Sequence, residues 1–98
     1  MKKPALYIMT NKYHGTLYVG VTSDLLQRVF QHKNNAGSEF VIKYGCKVLV
    51  YYFFFDCMTD AILMEKKLKM GSRERKIRLI ESINSEWKDL YADLFHTN

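Results

Sequence analysis

Five side chains in this sequence have types and spacings that suit phosphate chemistry. Arg28 and His32 lie four residues apart in a stretch of helical periodicity, so they stack along one helix edge. A guanidinium grips phosphate oxygens two at a time, and an imidazole moves protons near neutral pH. Glu65 lies in a second helical stretch, 59–70, whose inward stripe is Ala61, Ile62, Met64 and Leu68. At about 100° per residue, Glu65 falls near the middle of that stripe, with Lys66 and Lys67 outside it. A carboxylate aimed at a core is costly unless a cation or a metal meets it. Two readings stay open: an ion pair with Arg28 or a lysine, and a hard-metal ligand at the rim of a sheet. Mg²⁺ sites acting on phosphates need only one or two protein carboxylates, water and substrate completing the shell. Tyr7 and Tyr18 are core aromatics by default, and matter chemically only if their hydroxyls converge with Arg28 and Glu65.

The elements that must position these residues follow from patterning. Residues 5–10 and 16–21 read as strands around the turn-like 11–15, with Gly15 available for a left-handed conformation or a bulge. So short a loop makes an antiparallel hairpin with Tyr7 and Tyr18 nearly opposite; a bulge would decide whether they share a face. Thr22, Ser23 and Asp24 are capping residues, and the helix they start runs to about Lys33 with Leu25, Leu26, Val29 and Phe30 as its apolar stripe. Residues 34–38 break it, and 39–45 read as a short helix or turn ending at Gly45. Residues 47–56 are β-branched and aromatic without alternation, the pattern of a strand covered on both faces. A helix over 58–71 follows, with Thr59 as cap and Gly71 as stop. The next helix, 72–83, has Ser72 as cap and Ile77, Ile80 and Ile83 inward. A short terminal helix or turn at 86–95 is anchored by Trp87, Leu90 and Tyr91. The order β-β-α-(α)-β-α-α predicts an α/β fold, a small three-stranded mixed or antiparallel sheet flanked by helices.

Size and charge narrow the function. The 98 residues predict one domain, 1–98, and 48% apolar with 14% aromatic content excludes a disordered chain. Fifteen Lys+Arg against ten Asp+Glu leave +5, which favours polyanions, nucleic acid first. The apolar start breaks at Thr10–Asn11–Lys12, so no signal peptide is expected. Residues 48–55 are too few to cross a bilayer as a helix, so no membrane partner is expected. Cys46 and Cys57 flank that run; in one extended strand they lie about 35 Å apart and cannot pair. Both read as free thiols in a reducing cytoplasm, without the spacing of a metal motif.

The segments Ala5–Leu6–Tyr7, then Leu17 through His32, then a helical Glu65 followed by 66–76, together resemble the GIY-YIG nuclease family. The resemblance spans about 5–91 and is nearest to small standalone bacterial members. The tyrosine ending the family's first tripeptide matches Tyr7, and the second tripeptide matches Tyr18, Val19 and Gly20. The family arginine matches Arg28, the position one turn later His32, and the metal-binding glutamate Glu65. The first tripeptide departs from the pattern, Ala5 and Leu6 standing where the family has glycine and isoleucine.

What the resemblance implies is metal-dependent hydrolysis of nucleic-acid phosphodiesters, DNA ahead of RNA, with one Mg²⁺ or Mn²⁺ on Glu65. Tyr7, Tyr18, Arg28, His32 and Glu65 would form the catalytic set, with either Tyr7 or His32 as base. Lys66, Lys69, Arg73 and Lys76 would track the nucleic-acid backbone; Lys69 and Lys76 match basic positions of the standalone members. A protein partner supplying specificity is compatible with so bare a domain. The alternative is a nucleic-acid-binding or accessory module with little or no cleavage of its own.

Overall fold

Six consecutive buried residues, Ala5–Thr10, form the first strand, β1, in the computed structural model, which describes residues 2–36 and 38–95. Every side chain of β1 is covered because the strand lies in the middle of the sheet, with helices on both faces. The second strand, β2 (Leu17–Thr22), pairs antiparallel on one side, and the third, β3 (Val48–Phe54), antiparallel on the other, in the order β2-β1-β3. Helices α1 (Leu25–Lys33) and α2 (Glu39–Tyr44) join β2 to β3; α3 (Met58–Met70), α4 (Arg73–Glu81) and a 3-10 turn (Leu90–Phe95) follow. The expected order holds, and the sheet is antiparallel throughout.

The strand alternation of β1 sorts the core into two. Ala5, Tyr7 and Met9 face Leu25 and Val29 of α1, Val41 of α2 and Leu94. Leu6 and Ile8 point the other way, with Val19, against Leu68 of α3, Ile80 of α4 and Trp87. Register settles the tyrosine question. Tyr7 is opposite Gly20 and Tyr18 opposite Met9, so both tyrosines stand on the α1 face, one step apart diagonally. The irregularity lies on the other side, where β1 and β3 slip register between Ile8 and Met9.

Local chemistry explains most boundaries. Asp24 caps α1, its carboxylate accepting from the Gln27 N–H, and Ser38 and Ser72 cap α2 and α4 in the same way. Gly45 ends α2 at φ 64°, a left-handed position. Gly37, in the stretch expected to break the first helix, lies outside the described residues.

Five expectations are corrected. The left-handed residue of the β1–β2 loop is His14 (φ 52°), not Gly15. Helix α3 begins at Met58 with Cys57 at its cap and no side-chain capping bond, so Thr59 is not the cap. The buried stripe of α1 is Leu25, Val29 and His32, spaced i, i+4, i+7; this turns Leu26 and Phe30 outward, where both are exposed. Ile83 lies beyond the end of α4 and is exposed rather than inward. The strand covered on both faces is the central β1; β3 is an edge strand whose Phe53 is 53% exposed.

Candidate functional site

Gly20 is the floor of the site. A Cβ there would stand 2.7 Å from both Cζ and Oη of Tyr7 and 3.1 Å from Cε1 of Tyr18. The missing side chain lets the Tyr7 ring lie across β2 and bring its hydroxyl towards α1. There the Tyr7 hydroxyl meets Nε2 of His32 at 2.9 Å, a bond buried from solvent. His32 reaches inward because it shares the stripe of Leu25 and Val29 on α1. The Tyr18 ring completes the group, 6.2 Å from Tyr7 and 5.5 Å from His32 between centroids. Four residues on from Asp24, Arg28 comes off the same helix one turn before His32 and lies against the same hydroxyl.

The electrostatics follow from burial. Tyr7 is wholly buried and its hydroxyl is pushed well above its ordinary value, first by desolvation and then by the neighbouring Tyr18; Arg28 pulls the other way without overcoming burial. Tyr7 therefore keeps its proton. His32 is 1% exposed and is pushed below its ordinary value, by desolvation first and by the Arg28 charge second. The imidazole is neutral near pH 7, with Nε2 on Tyr7 and a buried Nδ1 that has no partner among the described residues. Tyr18 and Arg28 are partly exposed, so the cluster has a wet side and a dry side.

Glu65 arrives from the opposite face of the sheet. Leu68 and Met64 seat α3 on the Leu6, Ile8 and Val19 side. Glu65 is neither in the core nor against Arg28. Its side chain is 17% exposed, and its carboxylate bonds Lys69, one turn on, at 3.1 Å. This is the lysine ion pair, one of the two outcomes open from sequence. The Glu65–Lys69 ridge runs along the β2 edge, because Lys69 lines a hollow of about 260 Å³ with Leu17, Tyr18 and Val19 of β2, Phe40 of α2 and Lys76 of α4. Tyr18 belongs both to the buried cluster and to this hollow, and so links them.

The basic residues divide. Lys69 and Lys76 line the hollow. The Arg73 guanidinium donates to the carbonyls of His14 and Gly15 at 2.6 and 2.7 Å, tying α4 to the β1–β2 loop. Lys66 is exposed on α3, away from the hollow lining. Sequence reasoning missed Gly20 as a space-maker and Phe40 as a wall, its ring 5.8 Å from Tyr18. The strand register, once known, exposes the first; nothing in the ambiguous 39–45 stretch signals the second.

For a metal, the donor set is narrow: the described residues hold no group of three or more His, Cys, Asp or Glu side chains arranged to bind an ion. Glu65 offers one carboxylate at the margin of this hollow, and a hard cation held there would take water and phosphate oxygens for the rest of its shell, the phosphates also offsetting Lys69 and Lys76. No described helix is long and apolar enough to cross a membrane.

Comparison with known proteins accords with this arrangement. Residues 3–78 match the family model for the GIY-YIG catalytic domain, a nuclease domain. A UPF0213 protein of Staphylococcus saprophyticus is 34% identical over 80 residues, covering 82% of this chain and 96% of the relative. A UPF0213 protein of Staphylococcus haemolyticus is 31% identical over 81 residues, covering 83% and 98%. One of Clostridium perfringens is 34% identical over 67 residues, covering 68% and 72%. No solved structure matches the chain. With the family model covering both tyrosine strands, the arginine–histidine helix and the glutamate helix, this chain belongs to the GIY-YIG family.

Proposed function

We propose that this protein is a single-domain, divalent-metal-dependent endonuclease that hydrolyses nucleic-acid phosphodiester bonds, DNA in preference to RNA. The observation that carries the reading is the junction at Tyr18, where a buried tyrosine–histidine pair meets a hollow lined by Lys69 and Lys76. Glu65, released from Lys69, would hold one Mg²⁺ or Mn²⁺. Such an ion, when bound, polarises the phosphate and offsets the charge of the leaving oxygen.

The remaining chemistry belongs to the side chains. Arg28, partly exposed and set against the Tyr7 hydroxyl, binds a non-bridging phosphate oxygen and counters charge that develops in the transition state. Tyr18, on the wet side, orients the attacking water. Tyr7 and His32 lie behind it and have no surface to offer substrate. Their role is to receive the proton: water gives one to the Tyr18 oxygen, Tyr18 gives its own to Tyr7, and Tyr7 gives its own to His32 Nε2. No phenolate persists, which suits a Tyr7 hydroxyl that burial holds protonated. Burial of both groups supports His32 as acceptor and Tyr7 as conduit over Tyr7 as the base. Lys66, Lys69, Arg73 and Lys76 supply cations for the nucleic-acid backbone. The free thiols Cys46 and Cys57 suit a cytoplasmic location.

The Glu65–Lys69 bond favours one other reading, since a carboxylate already neutralised suits a module that binds without cutting. Incubation with branched, single-stranded and duplex DNA and with RNA, in Mg²⁺ or Mn²⁺, separates the two. Metal-dependent cleavage that disappears in Glu65→Ala and falls about a hundredfold in Arg28→Ala supports the nuclease. Cleavage unchanged in both variants refutes the site; salt-sensitive binding without cleavage leaves the binding module. The pH profile tests the proton route. With His32 as acceptor, the acid limb of kcat/KM lies below pH 6.5; a rate still climbing into the alkaline range would point to a tyrosinate instead.

A further inference from the structure

The other side of α3 and α4 carries an apolar groove of about 600 Å³ that shares no lining residue with the hollow at Tyr18. Its floor is Leu6 and Leu68, both buried, with Met64 beside them. One wall is the Phe53 and Phe55 pair from β3 and the segment after it. The opposite wall is α4, which contributes Leu79 together with Arg75 and Arg78. An open apolar surface of this kind beside an exposed phenylalanine marks an interaction site. Arg75 and Arg78 form no ion pair among the described residues, although four of the chain's lysines do.

Charge and shape select the occupant. Two unpaired guanidinium groups one helical turn apart, about 5–6 Å between Cβ atoms, match carboxylates at the same spacing on a facing helix. The apolar floor between the walls matches aliphatic anchors on that helix's adjoining face. An added β-strand is the poorer fit. The outer edge is occupied at the start of β3, where the Leu49 N–H donates to Asp89 at 3.2 Å and the Val50 carbonyl accepts from Asn84 at 3.1 Å, which leaves an added strand only the short stretch from Tyr51 to Phe54. A stacked nucleic-acid strand also fits less well. Most of the floor is aliphatic, and Phe53 and Phe55 pack edge to face on each other, 5.0 Å apart at 72°, leaving no flat tier for bases.

We infer that the groove between β3 and the α3–α4 pair docks an acidic amphipathic helix of a partner protein, with Arg75 and Arg78 pairing its carboxylates and Phe53 clasping its apolar anchors. The site stands apart from the proposed catalytic cluster, so its occupation is measured without reference to cleavage.

The test uses the full chain and a fluorescein-labelled model helix of leucines at i, i+3, i+4 and i+7 with glutamates on the flanks. Fluorescence anisotropy at physiological salt should show saturable binding, with ¹H–¹⁵N shifts confined to β3, α3 and α4. Arg75→Gln/Arg78→Gln, both exposed and harmless to the fold, should weaken binding at least tenfold, as should Phe53→Ser. The same peptide with lysine for glutamate should not bind. Equal affinity in the double variant, or equal binding of the lysine peptide, overturns the inference. So does an oligothymidylate that displaces the peptide and itself loses affinity in Phe53→Ser, since that would assign the groove to nucleic acid.

Discussion

Replacing Gly20 with alanine should unseat the Tyr7–His32 pair without touching either residue. The added Cβ would stand 2.7 Å from Tyr7 Cζ and Oη, about 1 Å inside ordinary carbon contact. Neither atom can retreat. The ring is wholly buried between β2 and α1, and its hydroxyl is held at 2.9 Å by an imidazole that is 1% exposed. Overpacking of this kind costs about 1–3 kcal/mol, to which the loss of a buried hydrogen bond adds about 1 kcal/mol. For a chain of 98 residues each kcal/mol lowers Tm by roughly 4–8 °C, so the fall should be about 8–32 °C. Denaturant unfolding of Gly20→Ala, Tyr7→Phe and the double variant separates the two contributions. Tyr7→Phe removes one of the two atoms the new methyl strikes, so Gly20→Ala should cost measurably less in that background, with a coupling above 0.5 kcal/mol, the upper end for independent sites. Additivity within about 0.3–0.5 kcal/mol, or an unchanged Tm in Gly20→Ala, would refute the close-packing argument and with it the reason for a glycine at this strand position.

Four further outcomes are expected. Burial holds the folded His32 below its unfolded value, so the unfolded chain binds the extra proton first; the His32 contribution to stability should be flat above about pH 6.5 and fall below it, and the difference between the wild-type and His32→Asn stability curves should isolate that slope, a flat difference refuting it. Glu65→Gln should abolish metal-dependent cleavage while moving unfolding free energy by under about 1 kcal/mol, because its lysine pair lies at the solvent edge; a large loss of stability would mark the carboxylate as structural. Lys69→Ala/Lys76→Ala should lower the slope of log affinity for duplex DNA against log salt by about two, whereas an unchanged slope would remove the hollow from the nucleic-acid path. Arg73→Gln should lower stability by about 1–2 kcal/mol through the two loop carbonyls it releases, and a melt matching wild type would show that the tether carries no weight.

The parts of the molecule legible from sequence are those where one period governs one environment. The apolar strand runs and the capping residues Asp24 and Ser72 located β1, β2, α1 and α4 within a residue or two, and the 39–45 stretch, read as a short helix or turn, forms α2. Spacing alone put Arg28 and His32 on one helix edge, and the structure brings both to Tyr7. Patterning misled wherever an apolar residue serves the surface. Leu26 and Phe30 fit a wider stripe than α1 buries, because a histidine takes the inward position at i+7. The aromatic run of β3 reads as core on both faces, yet Phe53 lines an open groove. Hydrophobicity reports what avoids water on average and is silent on which copy of a residue awaits a partner.

Glu65 shows the same limit from the polar side. Helical periodicity placed a carboxylate on an inward stripe, which posed the right physical problem, the need for a counter-charge. It could not tell the centre of the stripe from its β2 margin, where Lys69 reaches the carboxylate from solvent and no charge is buried alone. Along that margin α3, seated on one face of the sheet, adjoins a tyrosine standing on the other. An edge strand is thin enough for side chains from both faces to meet around it, and β2 is such a strand. The location of the hollow therefore follows from strand order, a property of the whole chain that no local window of sequence contains.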